Sequence, residues 1–279
     1  MSKPIISFPM LGADFSLNPS NSFQLFGISI YWYGVIIATG FLLAVCYCIR
    51  RSGEFGLTSD NVLDMLIITT PAAIIGARAY YVIFNFSLYQ DDLMGIFRIR
   101  DGGLAIYGGI LAAVLGLFIA ARYRKFSPFA MLDLGAFGLL IGQCIGRWGN
   151  FMNREAFGRE TDIFCRMGLT DPVTGVTTYV HPTFLYESLW NLLGFILLHI
   201  FSKKAERRFD GQFFLMYVAW YGFGRMFIEG LRTDSLYLFA NIRVSQLLAF
   251  VSCLAACIAL YVLLRRPYNP QLLWKNKKV

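Results

Sequence analysis

Residues 243–264 read RVSQLLAFVSCLAACIALYVLL. After Arg243 the run contains no Lys, Arg, Asp, Glu or His, and at about 1.5 Å of rise per residue some 20 such residues span a hydrocarbon core of about 30 Å. A helix apolar on every side has no place on the surface of a soluble domain. Six further apolar stretches lie at residues 26–49, 62–86, 104–121, 129–149, 182–201 and 211–230. The second carries Asp64, Pro71 and Arg78, so it must face protein at those points. Composition agrees: 57% of the 279 residues are hydrophobic and 15% charged, and the mean hydropathy is +0.55. That is about 159 apolar residues, enough for seven spans of roughly 20.

These numbers exclude a soluble enzyme. The 26 Phe and 15 Tyr exclude a disordered or fibrous chain. The net charge of +8 is read as basic residues flanking membrane helices, and nucleic acid is not an expected partner. Short segments rich in Lys and Arg follow the first span (Arg50, Arg51), the third (Arg122, Arg124, Lys125), the fifth (Lys203, Lys204, Arg207, Arg208) and the seventh (Arg265, Arg266, Lys275, Lys277, Lys278). If the spans alternate, all four clusters share one side, and the positive-inside rule makes that side the cytoplasm. The predicted architecture is an all-α polytopic membrane protein, one integral membrane domain over residues 1–279. It has about seven transmembrane helices, the N-terminus outside, the C-terminus cytoplasmic, and a small extracytoplasmic lobe over residues 150–181 between the fourth and fifth spans.

Residues 87–103 and 150–181 are longer than connectors need to be, and Gly168, Asp171, Pro172 and Gly175 punctuate the second with turns. The halves do not resemble each other, which argues against an inverted-repeat transporter. No cleavable signal peptide is visible in the first 22 residues. The six cysteines lack metal-site spacings and read as small core residues, Cys165 alone falling in a polar segment.

Ionisable groups in spans are costly, so their positions are informative. Tyr33, Arg78, Tyr107, Arg147, Glu187, Arg225 and Glu229 all fall toward the outer ends of their spans. Arg225 lies about 7 to 8 Å below its helix end, near the depth of a lipid phosphate. Arg225 and Glu229, four apart, form an ordinary pair along one face in the simplest reading, and arginines snorkel at helix ends without further purpose. Three arginines and two glutamates gathered at one depth favour a site. Gly138, Gly142 and Gly146 put a flat stripe on the fourth span for close helix contact, and Gly108 and Gly109 flank Tyr107, where bare backbone serves packing or leaves room for glycerol or phosphate.

The segment Gly146-Arg147-Trp148-Gly149-Asn150-Phe151-Met152-Asn153-Arg154-Glu155-Ala156-Phe157-Gly158 is dense in polar groups where the chain leaves the membrane. Two arginines and two asparagines suit phosphate oxygens, and the carboxylate suits orienting an arginine or a hydroxyl. The alternative is an interfacial cap in which Asn150 and Asn153 satisfy the helix end. The run also resembles the signature of bacterial prolipoprotein diacylglyceryl transferases, G-R-x-G-N-F-x-N-x-E-x-x-G. The resemblance extends to Trp32-Tyr33-Gly34, Gly76-Ala77-Arg78, Asp101-Gly102-Gly103, His181-Pro182, Leu185-Tyr186-Glu187 and Tyr221-Gly222 with Arg225, Glu229 and Arg232.

The resemblance implies transfer of the diacylglyceryl group from phosphatidylglycerol to the lipobox cysteine thiol of a preprolipoprotein, forming a thioether and releasing glycerol phosphate. No cofactor is expected, and no ligand cluster supports a metal. The resemblance implies as partners phosphatidylglycerol and the preprolipoprotein signal peptide, and as location the bacterial cytoplasmic membrane with the active site toward the outer leaflet. Arg147, Arg225, Tyr107 and Glu155 make up the expected catalytic set. Tyr33, Arg78, Asn150, Asn153, Gly158, Tyr221, Glu187, Glu229 and Arg232 make up the expected substrate-binding set. Arg147 and Arg225 are expected on the phosphate, while Glu155, Glu187 and Glu229 hold arginines in place. Where the family is described as having a histidine in an H-G-G-[LI] run, this chain has Tyr107-Gly108-Gly109-Ile110, and a phenol with a reference pKa near 10 is a poor base for a thiol. Of the two histidines, His199 is expected to be structural and His181 to open a helix. The rival readings are an anion transporter or channel, which needs ionisable groups along a whole path where the inner half has only Asp64, Asp133 and His199; a CDP-alcohol phosphatidyltransferase, which needs an aspartate-rich metal motif; and a non-catalytic scaffold.

Overall fold

The computed structural model describes residues 3–12, 15–99, 102–234, 237–239 and 242–277; Asp101 of the Asp-Gly-Gly run and Lys278 of the last basic cluster lie outside them. In chain order the elements are β1 (Ile5–Ser7), β2 (Ser16–Leu17), β3 (Ser22–Leu25), β4 (Ile28–Tyr31), α1 (Trp32–Arg51), α2 (Ser59–Phe84), α3 (Ile106–Arg124) and α4 (Pro128–Asn153). There follow β5 (Met167–Thr170), β6 (Thr177–Val180), α5 (Thr183–Lys204), α6 (Gln212–Glu229), β7 (Tyr237–Phe239), β8 (Ile242–Arg243) and α7 (Val244–Leu264).

Six of these helices, all but α6, are long and apolar enough to cross a membrane. Their large apolar side chains point outward: Ile67, Ile75, Leu111, Leu115, Val251 and Leu254 are all exposed. Water would not tolerate that arrangement in so many helices, and hydrocarbon requires it. The chain is a polytopic helical membrane protein. The 18 residues of α6 include Gln212, Arg225 and Glu229, whose polarity keeps it outside the set.

The first apolar stretch was expected to be helical from residue 26, but helix begins only at Trp32. Residues 22–31 form the hairpin β3–β4 instead, with Leu25 opposite Ile28. Its two-residue turn places Phe26 and Gly27 at φ of 50° and 78°, the geometry that matches the twist of paired strands. Hydrophobicity alone does not separate such a turn from a helix entry. The start of α2 is set by a capping box in which Thr58 and Asn61 exchange side-chain and backbone hydrogen bonds.

The chain divides into two compact units, residues 1–48 with 135–269, and residues 49–134 with 270–279. In the second, α2 and α3 touch through glycines. A Cβ on Gly108 would lie 2.4 Å from the carbonyl oxygen of Gly76, so the bare backbone beside Tyr107 is used for helix packing. In the first unit the glycine stripe of α4 lies on α1, with Gly138 against Cys48 and Ala44 and Gly146 against Ile37. Its sheet has the order β2-β1-β5-β6. The segment after α4 thus borrows two strands from the N-terminus, and Ile6, Met167, Leu169, Val180 and Phe184 make the small core beneath it. Of the cysteines, Cys46 and Cys257 are exposed on their helices instead of lying in the core.

Candidate active site

Two antiparallel helices place the central carboxylate. On α5, Trp190 is followed four residues later by Gly194, and on α6 Trp220 is followed four residues later by Gly224. The indoles stack with centroids 4.2 Å apart, and each Nε1–H donates to the other's backbone carbonyl at 3.0 Å. Each ring also fills the space over the opposite glycine: a Cβ would lie 2.4 Å from Trp220 Nε1 at Gly194 and 2.1 Å from Trp190 Nε1 at Gly224. This lock sets the register of the pair. One turn along α5 from Trp190 comes Glu187, and next after Gly224 comes Arg225. Between α4 and α5, Trp148 donates to Ser188 Oγ at 3.1 Å and Ser188 donates to the carbonyl of Cys144 at 2.9 Å, bringing Arg147 to the same place.

Glu187 is 3% exposed and is the hub. Its Oε1 accepts from Arg225 Nη1 at 2.6 Å, its Oε2 lies 2.5 Å from Arg147 Nη2, and Arg232 Nη1 is 3.6 Å from Oε1. Arg225 also reaches Glu229 on its own helix at 2.5 Å, so the pair expected along one face exists and is cross-linked to a second helix. Oε2 of Glu187 and Oε2 of Glu229 are in ionic contact but accept no hydrogen bond of good geometry among the described residues. Arg243 donates to the carbonyl of Glu229. Arg232 forks onto Asp234 at 2.9 and 2.7 Å. That hydrogen bond holds the Asp234 carboxyl below its ordinary value, so the fork is ionised at neutral pH.

At the C-terminal end of α4, Arg147 Nη1 approaches Asn150 Oδ1 at 3.4 Å, and the amides of Asn150 and Asn153 donate to Glu155 Oε1 at 3.0 and 3.2 Å. Glu155, expected to hold an arginine, orients the two asparagines instead. The chain then turns sharply, with Arg154 and Ala156 at φ of 51° and 57°. Left-handed backbone costs an L residue about 1 to 2 kcal/mol, and here local bonds offset it. Thr183 Oγ1 donates to the Ala156 carbonyl at 2.5 Å. Arg154 donates to the carbonyls of Pro4, Met152 and Pro19 and to the side chains of Asn18 and Asn21. Gly158 then bridges to Arg232, and a Cβ there would lie 2.7 Å from that of His181. Its lack of a side chain also lets the segment before Arg232 approach, the Leu231 carbonyl oxygen lying 3.0 Å from where a Cβ would be.

The other expected residues are distributed as follows. Tyr33 lies over Gly149, where a Cβ would be 2.8 Å from its ring. Tyr221, one turn before Arg225, stacks on Tyr217 with centroids 5.8 Å apart. Arg78 and Tyr107 belong to the other compact unit. Arg78 is buried and donates to the carbonyls of Gly95, Ile96, Arg98, Gly102 and Gly103 at 2.7 to 3.4 Å, so it organises its own loop. Among the described residues the Tyr107 hydroxyl has no hydrogen-bond partner. His181 lies just before α5, whose N-cap is Pro182, and its carbonyl accepts from Gly158 and from Thr183, each at 2.9 Å. Burial and the charge of Arg159 lower its pKa, which keeps the ring neutral at pH 7. The tryptophan lock, the Arg154 staple and Asp234 were missed. Only the repeated Trp-x3-Gly spacing and the Arg-Thr-Asp run offered a signal for two of them.

A guanidinium has five N–H donors, and how many are engaged separates the arginines. Arg78 and Arg154 each direct five hydrogen bonds to protein oxygens and have none to offer. Arg147, with its side chain 20% exposed, makes one 3.4 Å hydrogen bond and one ion pair among the described residues. Arg225 is held by two carboxylates, and its Nε is without a hydrogen bond among the described residues. Two arginines held by carboxylates with donors still open make a candidate anion-binding site at the helix ends of a polytopic membrane protein. The family model described as prolipoprotein diacylglyceryl transferase matches residues 20–262. Relatives named phosphatidylglycerol–prolipoprotein diacylglyceryl transferase include one from Enterococcus faecalis, 47% identical over 265 residues, covering 93% of this chain and 94% of the relative. Another, from Lactiplantibacillus plantarum, is 45% identical over 271 residues, covering 95% and 94%. A third, from Clostridium botulinum, is 43% identical over 262 residues, covering 90% and 98%. The chain belongs to the prolipoprotein diacylglyceryl transferase family.

Proposed function

We propose that the chain transfers the diacylglyceryl group of phosphatidylglycerol to the lipobox cysteine of a preprolipoprotein. The observation that carries this reading is the pair Arg147 and Arg225, braced by Glu187 and retaining open N–H donors. The substrate sulfur attacks the glycerol carbon that bears the phosphate. A C–S bond forms, the C–O bond breaks, and glycerol phosphate departs with the bond's electrons. The negative charge that grows on the phosphate as the bond breaks meets guanidinium groups already in position, which favours the transition state over the bound diester.

The same cations favour the thiolate over a thiol whose reference pKa is near 8.5. Asn150, held by Glu155, supports the phosphate from the end of α4. Arg232, forked on Asp234, braces Glu187 as well. Tyr107 is not required as the base. Both substrates arrive in the membrane plane, and the site faces the outer leaflet of the cytoplasmic membrane. Seven spans, α6 included, with the N-terminus outside and the C-terminus inside, put the four basic clusters in the cytoplasm. The lobe built on residues 150–181 and the N-terminal strands then lies outside.

The test is transfer of labelled diacylglyceryl from phosphatidylglycerol to a lipobox peptide by the purified protein, read as thioether product. Product is expected with wild type and, at nearly unchanged rate, with Tyr107→Phe if the arginine field ionises the thiol. No product from wild type contradicts the reaction.

A further inference from the structure

One helical step from the arginine layer, further into the bundle, lies a second polar layer that the chemistry above does not use. Gln143 precedes Arg147 by four residues on α4, and Asn191 follows Glu187 by four on α5, where the helix runs the other way. At about 1.5 Å per residue both steps carry the side chain about 6 Å toward the bundle interior. Tyr217 and Tyr221 continue the line of Arg225 along α6 at the same four-residue spacing. Gln143 Nε2 donates to the Tyr217 hydroxyl at 2.8 Å.

Two atoms in this layer have nothing to bind. Asn191 is 1% exposed, and its Oδ1 has no hydrogen-bond partner among the described residues. The buried Oε1 of Gln143 has none either. An unsatisfied amide among apolar helices is costly, and in a membrane there is no bulk water to compensate it. A leucine at either position would avoid the cost. Two orphaned amide oxygens at matching steps below Arg147 and Glu187 point to a ligand that reaches both levels.

Resting on the reaction proposed above, we propose that Asn191 and Gln143 bind the two ester carbonyls of the diacylglyceryl group while Arg147 and Arg225 hold its phosphate. The lipid's dimensions match. Five bonds of about 1.5 Å separate phosphorus from an ester carbonyl carbon, and in zigzag they span about 6 Å. The headgroup hydroxyls lie on the opposite side of the phosphate, so the esters are the only polar groups of the lipid at this depth. Esters only accept hydrogen bonds. A half-turn of the Gln143 amide lets the Tyr217 hydroxyl donate to Oε1 and turns the NH2 toward the lipid, satisfying the orphan and creating the donor together. The same half-turn at Asn191 brings its NH2 to where Oδ1 now lies. Holding the esters as well as the phosphate aligns the glycerol carbon between them for attack.

The test compares phosphatidylglycerol carrying ester-linked chains with the ether-linked analogue of equal chain length, using the purified protein and a lipobox peptide. The ether keeps phosphate and chains but lacks both carbonyls. Wild type is expected to show a KM about tenfold or more higher for the ether. In Asn191→Leu the ratio of the two KM values is expected to fall toward one, and Gln143→Met provides the same comparison should Asn191→Leu fail to fold. Equal KM values in wild type, or a variant that weakens both donors alike and keeps the ratio, overturn the assignment. No thioether from either donor overturns the reaction itself and this layer with it.

Discussion

Glu187 faces three arginines, and no water-exposed carboxylate could keep them in register so close to apolar helix surfaces. Its burial makes the contacts strong, and it also makes the residue hard to replace, because removing one member of a buried ion pair leaves charge uncompensated. Glu187→Gln keeps the shape and removes the charge. It is expected to lower transfer by about a hundredfold or more, since Arg147 and Arg225 lose the anchor that aims them. Circular dichroism of the purified variant checks that its helices persist, and near-normal transfer would show that the arginines position themselves. At this scale the sequence was informative where residue type and motif coincide: Arg147, Glu187 and Arg225 lie together. It was uninformative where one type has two uses. Arg78 and Arg154 look like Arg147 in the sequence, yet carbonyls and asparagines take their N–H groups. Only the backbone path shows which arginines have donors to spare.

At the scale of elements, the contact of α5 with α6 decides where the charges meet. Stacked indoles lying over glycines make a steric lock with little tolerance, and packing rather than hydrophobic transfer holds helices together in lipid. Gly224→Ala would put a methyl group 2.1 Å from Trp190 Nε1. Overpacking of this kind costs about 1 to 3 kcal/mol. A lower unfolding temperature and reduced transfer are therefore expected, and Trp190→Leu in the same chain should recover part of the loss. A variant with unchanged melting and turnover would show that the helices are free to slide. The apolar runs made the helices legible because their length and composition leave no other use for them. The hairpin of residues 22–31 was not legible, since Leu25, Phe26 and Ile28 extend an apolar run and only the positive φ at Phe26 and Gly27 reveals the reversal.

For the molecule as a whole, charge placement along the chain predicts an orientation, and hydropathy predicts how much of it is membrane. Neither could reveal the small sheet, whose strands β1 and β2 are three and two residues long and come from the far end of the chain. Arg154 ties those ends together through four hydrogen bonds, at a position the family signature leaves open. The site thus combines helices selected by apolarity with a polar exit from α4 selected by chemistry. The central claim is that the guanidinium forks of Arg147 and Arg225 bind the departing phosphate. Lysine keeps the charge but cannot reproduce the planar fork. The measurement that tests this most directly is the rate of thioether formation from labelled phosphatidylglycerol by Arg147→Lys and Arg225→Lys beside wild type. A fall in kcat of about a hundredfold or more in each is predicted, and full turnover by either variant would contradict the account.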